Sequence, residues 1–251
     1  MSLLHAVVCP HPPVIVPEIA GRAAAELDAL RAAAAAAVRA LLAHPASRIV
    51  VIGAADAGQP DTRTAGLATY ASFRRWGAPV DVRLGVPGPA GGPVAAQVSA
   101  LPLSLTVAAW LLAGSGVDLG AREVTTVAVP AALPAAACQR WGQRLAAATT
   151  PWVALVMGDG SACRGPTSPG YHDDRAEPFD DAVATALAAA DHRRLAALPA
   201  DLATELRVAG RAPWQVLAGA AAGTGGTFGG DLSYYAAPYG VAYFVASWDR
   251  T

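Results

Sequence analysis

Apolar positions along this chain come in short runs separated by long alanine-rich stretches. Leu3–Cys9 (LLHAVVC), Arg48–Ile52 (RIVVI), Val80–Val86, Glu123–Val129 (EVTTVAV), Trp152–Met157 (WVALVM) and Gly240–Ser247 each predict a strand. They are brief, rich in β-branched residues and bounded by Gly, Pro or polar residues. Pro17–Ala43, Leu101–Leu112, Ala131–Ala148 and Pro178–Ala190 predict helices, as does Ala200–Ala222, which Val208–Pro213 interrupts. Pro17 suits a first helical turn, and Glu18 and Glu26 lie toward that helix's positive end. Strands alternating with helices and no linker predict one domain over residues 1–251. Its expected form is a three-layer α/β/α fold around a mixed, largely parallel sheet.

The polar residues gather where the strands end. Trp152–Met157 runs into Gly158-Asp159-Gly160-Ser161 and then a loop broken by Gly165, Pro166, Pro169 and Gly170. Leu3–Cys9 stops at Cys9-Pro10-His11-Pro12-Pro13, whose prolines hold His11 on a stiff, extended connection. Arg48–Ile52 runs into Gly53–Gly58, with Asp56 its carboxylate. In open α/β sheets, ligands bind at the carboxyl ends of strands. The three loops therefore predict one crevice lined by His11, Asp56, Asp159, Ser161, Cys163, Tyr171 and His172. The glycines at Gly223–Gly230 predict a loop and no nucleotide fingerprint, since no buried strand leads into them.

Composition narrows the chemistry. The 251 residues are 54% hydrophobic and 15% charged, enough for a sizeable core. A net charge of −1 argues against nucleic acid or an anionic membrane as partner. Every basic residue other than histidine is arginine, which excludes a P-loop lysine, a Schiff-base lysine and a lysine general base. Cys9, Cys138 and Cys163 are odd in number and unpaired in spacing, which suits free thiols in a reducing cytoplasm. The first apolar run is interrupted by His5 and stopped by Pro10, so it predicts a strand and not a signal peptide. Leu101–Ala113 is too short to span a bilayer. A soluble cytoplasmic protein is expected.

Three segments in order carry a family resemblance: CPHPPVIVPEI at 9–19, GDGSACRGPTSPGYHDDRAEPFD at 158–180 and YYAAPYGVAYFVASW at 234–248. Together they resemble the class III (LigB-type) extradiol ring-cleavage dioxygenase superfamily, which also contains the MEMO-like proteins. The resemblance implies a single α/β/α domain, a homodimer, and a site in which two histidines and a carboxylate hold non-haem Fe(II) while a further histidine acts as acid/base. Taken residue by residue, His11 matches the first metal histidine. Ala54 or Ala55 stands where the second would be, Ala162 in place of the acid/base histidine and Ala209 in place of the third ligand.

That pattern implies a member of the fold without iron that binds a small aromatic or phenolic ligand, with no cofactor. One alternative is an active Fe(II) dioxygenase rebuilt on His11, Asp56 and His172. Another is a metal-independent hydrolase or transferase with Cys163 or Ser161 as nucleophile and His172 or His11 as base. Arg164 would then lower the Cys163 pKa. An anionic ligand would look to Arg164 and Arg211, the arginines beside the family-like motifs.

Overall fold

The computed structural model describes residues 3–56, 62–65, 69–84 and 101–251. In chain order it places β1 (Leu3–Cys9), α1 (Pro17–Ala20), α2 (Asp28–Ala43), β2 (Arg48–Ala54), β3 (Thr62–Ala65), β4 (Thr69–Ser72), β5 (Asp81–Leu84) and α3 (Leu103–Gly114). Then follow β6 (Glu123–Val129), α4 (Ala135–Ala146), β7 (Trp152–Met157), α5 (Ala176–Ala188), α6 (His192–Ala196), α7 (Ala200–Glu205), α8 (Arg211–Thr224), β8 (Phe228–Ala236) and β9 (Tyr243–Arg250).

Among the described residues, seven strands form one sheet in the order β3-β6-β2-β7-β1-β9-β8, and β4 pairs with β5 apart from it. The central strands β6, β2, β7 and β1 are parallel, while β3, β9 and β8 add antiparallel flanks. The parallel strands are continuous apolar runs because both faces are covered. One face buries Val8, Val50, Val156 and Phe244 with Trp141 of α4, Val183 of α5 and Trp214 of α8. The other buries Val7, Ile49, Val51 and Leu155 with Val38 of α2 and Val107 of α3. This is the expected three-layer α/β/α arrangement. Among the described residues, no helix is long and apolar enough to cross a membrane.

Several elements depart from the sequence reading, which placed no strand at β3 or β4 and no helix at α6. The helix expected over Pro17–Ala43 breaks into α1, a 3-10 segment Gly21–Leu27 and α2. Gly21 sits at φ 57°, a left-handed conformation that ends α1. The strand expected at Val80–Val86 is the short β5, paired with β4 outside the main sheet. The stretch before the last strand, read as glycine-rich turn, carries β8, a half-buried edge strand beside β9. The far ends of the expected Gly53–Gly58 loop and Val80–Val86 strand lie outside the described residues.

Helices α4 and α8 pack backbone to backbone, and glycine is the reason. A Cβ on Gly142 would lie 2.0 Å from the Val216 carbonyl oxygen, and one on Gly219 2.2 Å from that of Gln139. The two backbones approach so nearly that no other residue fits at either position.

Candidate functional site

Parallel pairing sets three loops side by side. Cys9 of β1 is level with Met157 of β7, and Ile52 of β2 is level with Val156. The chain therefore leaves β1, β2 and β7 at one edge, as open α/β sheets require of a binding crevice. The Gly158 N–H donates to the Cys9 carbonyl at 2.9 Å, extending the pairing one residue past the strands.

Two of the expected residues meet here. The His11 backbone N–H donates to Asp159 Oδ1 at 2.8 Å, and the His11 ring Nδ1 lies 3.7 Å from the same oxygen. Both side chains are largely buried, and His11 Nδ1 is enclosed without a hydrogen-bond partner. Burial raises the Asp159 pKa above the usual carboxylate range, while His11 opposes that shift. The Asp159 carbonyl accepts from the Gly210 N–H at 2.8 Å, so the start of α8 docks on the same loop. A Cβ on Gly158 would lie 2.6 Å from the Gly210 Cα and 2.7 Å from the Trp214 Nε1. That indole N–H is itself buried and unpartnered. Ala209, the residue beside Gly210, is half-buried, as are Ala55 and Ala162.

Tyr243, which the sequence reading left unassigned, belongs to this end. It is 3% exposed, and burial first, then the Asp159 carboxylate and the phenols of Tyr234 and Tyr239, push its pKa far up. Tyr239 is held in a left-handed conformation at φ 58°, its hydroxyl donating to Glu26 Oε2 at 2.7 Å. A signal for all three tyrosines was present, since they sit in the family-like segment 234–248.

The other expected residues go elsewhere. Ser161 is fully buried and donates through both its N–H (2.8 Å) and its Oγ (2.5 Å) to the two oxygens of Asp180, itself fully buried in α5. Arg164 braces that pair at 3.6 Å from Asp180 and also binds Tyr235 and Glu177. Ser161 is thus a clamp between the β7 loop and α5, held by a partner 19 residues later that no local pattern announces.

Cys163 is 1% exposed, its sulfur turned toward the Gly170 and Leu206 carbonyls. Burial lifts its thiol above the ordinary range, with Asp173 and Asp180 adding to the shift. Arg164 is not among its perturbing charges. This opposes the alternative in which Cys163 is a nucleophile. Tyr171 at φ 64° is 76% exposed, and His172 is exposed and bonded to Asp174 at 2.9 Å, so neither lines the crevice. The left-handed turn at Tyr171 directs this pair to solvent.

Asp56 accepts the Leu103 N–H at the start of α3 (3.1 Å) and pairs with Arg75 at 2.5 Å. It closes a helix end instead of facing His11. Arg211 is buried, with its guanidinium on the Ala131 and Leu133 carbonyls and on Gln215 Oε1. Both arginines nominated for an anion are therefore already engaged by the fold. Among the described residues, the trio of His, Cys, Asp or Glu whose ligand atoms converge is His5, His44 and Asp249, and not a set around His11.

No protein-family model matches the chain, and no curated protein matches it. Solved structures do. One, described as uncharacterized protein JW3007 from Escherichia coli K12, superposes with a TM-score of 0.53 at 13% identity, over 98% of this chain and 99% of that one. At that identity the likeness establishes a shared fold running the length of both chains.

Proposed function

We propose that this chain is a member of the class III extradiol dioxygenase-like fold that binds a small phenolic ligand in the His11–Asp159 crevice without using iron. The observation that carries the reading is the residue set at the strand ends. His11 and Asp159 are in contact there, while half-buried alanines stand where the resemblance would put the three other functional residues. A first-row divalent ion needs several ligands in fixed geometry. His11 and Asp159 are two; Asp56 and His172, the candidates for a third, are bonded elsewhere. The residues at this end therefore do not fit an Fe(II) centre, and no step is derived through one.

The crevice has the means to hold a phenol. His11 Nδ1 is an enclosed polar atom without a hydrogen-bond partner, and the Asp159 carboxyl can accept a hydrogen bond from a hydroxyl. The neighbouring tyrosines supply aromatic surface. Charge selects against an anion. Asp159 is the acidic group at the site, and Arg164 and Arg211 are both engaged. Catechol should therefore bind better than 3,4-dihydroxybenzoate.

A thermal-shift comparison of those two compounds on wild type and His11→Ala tests this. Saturation at a hundredfold excess over Kd should stabilise the wild type by about 2.7 kcal/mol. The shift should be larger for catechol and smaller in the variant. Equal shifts in both proteins would move the site elsewhere. A groove of about 390 Å³ lined by Gln139, Gln143, His192, Arg193 and Gly219 would be the place to look.

A further inference from the structure

The end of β1 away from the crevice carries a second cluster of chemistry. His5 stands directly opposite Asp249 in the antiparallel pair of β1 and β9, so the two share a face of the sheet. The β1–β7 register shifts between Leu3 and His5, an irregularity of the kind that re-aims a side chain. His44, the residue that closes α2, comes down on the same spot. His5 Nδ1 lies 2.6 Å from Asp249 Oδ1, and His44 Nε2 lies 3.5 Å from the same oxygen. The two imidazoles stack with centroids 4.5 Å apart and planes inclined by 22°.

We propose that His5, His44 and Asp249 form a binding site for a divalent transition-metal ion of the zinc type. Their ligand atoms all lie within 4.8 Å of one another. Zinc takes imidazole nitrogen and carboxylate oxygen at about 2.0–2.2 Å, which puts two ligand atoms of a tetrahedral ion ~3.3 Å apart. The observed separations bracket that spacing. Two nitrogens and one oxygen favour such an ion over calcium or magnesium, which prefer oxygen alone.

Mobility is distributed as a binding site needs. His5 is 2% exposed and fixed by the sheet, whereas the His44 and Asp249 side chains are 30% and 62% exposed: His44 must turn out of its stack on His5 to bring its lone pair to the ion, and Asp249 can close on it. The open side leaves room for water as a fourth ligand. Without an ion the Asp249 carboxylate holds the proton on His5 Nδ1, so ion binding at Nδ1 moves that proton to the buried Nε2, which has no partner to compete for it. The proton can sit there and leave the Nδ1 lone pair for the cation.

The test is Zn2+ competition against a chromophoric chelator, using metal-stripped full-length protein. Wild type, His44→Ala, Asp249→Asn and His11→Ala are compared, with circular dichroism confirming the fold. His44 and Asp249 are both partly exposed, so these variants spare the core. One Zn2+ per chain is expected in wild type and in His11→Ala. Binding should be at least about tenfold weaker in each of the other two, the scale set by loss of coordination-shell partners. Failure of wild type to compete would overturn the proposal. So would equal affinity in all four proteins, or loss of binding in His11→Ala alone.

Discussion

The backbone N–H of His11 donates to Oδ1 of Asp159 across 2.8 Å, tying together the loops that leave the neighbouring parallel strands β1 and β7. Asp159→Ala removes the acceptor and leaves a buried N–H unpaired. The expected cost is about 1–3 kcal/mol in chemical denaturation. Asp159→Asn retains a carbonyl oxygen for that N–H and should cost less.

The same pair gives a pH dependence with a definite sign. The folded Asp159 carboxyl has its pKa raised by burial. Its contribution to stability is therefore fully present below the ordinary carboxylate value of about 3.9. It is lost as pH rises through the folded value. Asparagine does not titrate, so Asp159→Asn should gain stability relative to wild type between pH 4 and pH 7. Denaturation midpoints at the two pH values check this; a difference that stays flat or shrinks contradicts it.

Ser161→Ala deprives the buried Asp180 carboxylate of its 2.5 Å hydroxyl donor while keeping the 2.8 Å N–H. A loss of about 1–3 kcal/mol is expected from a buried acceptor left short. Catechol affinity should be unchanged once the variant is folded. A nucleophilic Ser161 would show the reverse, little change in stability and abolished turnover of an ester substrate.

The thiols should be inert in the native protein. Cys9 is fully buried with its pKa pushed up to about 12, and Cys163 is 1% exposed with its pKa also raised. A thiolate-selective reagent at neutral pH should label none of the three cysteines before unfolding and all of them after it. Rapid native labelling at Cys163, read by mass spectrometry, would restore the nucleophile reading.

Gly219→Ala tests the contact between α4 and α8. Its new methyl would lie 2.2 Å from the Gln139 carbonyl oxygen, which is rigid backbone. Overpacking of this kind costs about 1–3 kcal/mol or more, and the thermal midpoint should fall accordingly.

What the sequence made legible follows from how local each interaction is. The runs Leu3–Cys9, Glu123–Val129 and Trp152–Met157 are strands with the bounds that their patterns predict, because continuous burial writes itself into every residue. The adjacency of the His11 and Gly158 loops followed from parallel pairing. The partners of Ser161, Asp56 and Arg211 did not, since each is engaged through contacts 19 to 80 residues away. Tyr171 and His172 looked like crevice residues until a single left-handed residue turned them outward. Strand β8 escaped notice because its glycines and half-exposed face carry little apolar signal.

The most direct test of the central reading is calorimetric titration of iron-stripped protein with catechol, repeated after one equivalent of Fe(II) is added without oxygen. His11 and Asp159 are the metal-capable pair at the crevice, so the ligand should bind with the same Kd in both titrations, at one site per chain. Binding that appears only once Fe(II) is present, followed by ring-opened product when air is admitted, would contradict the account.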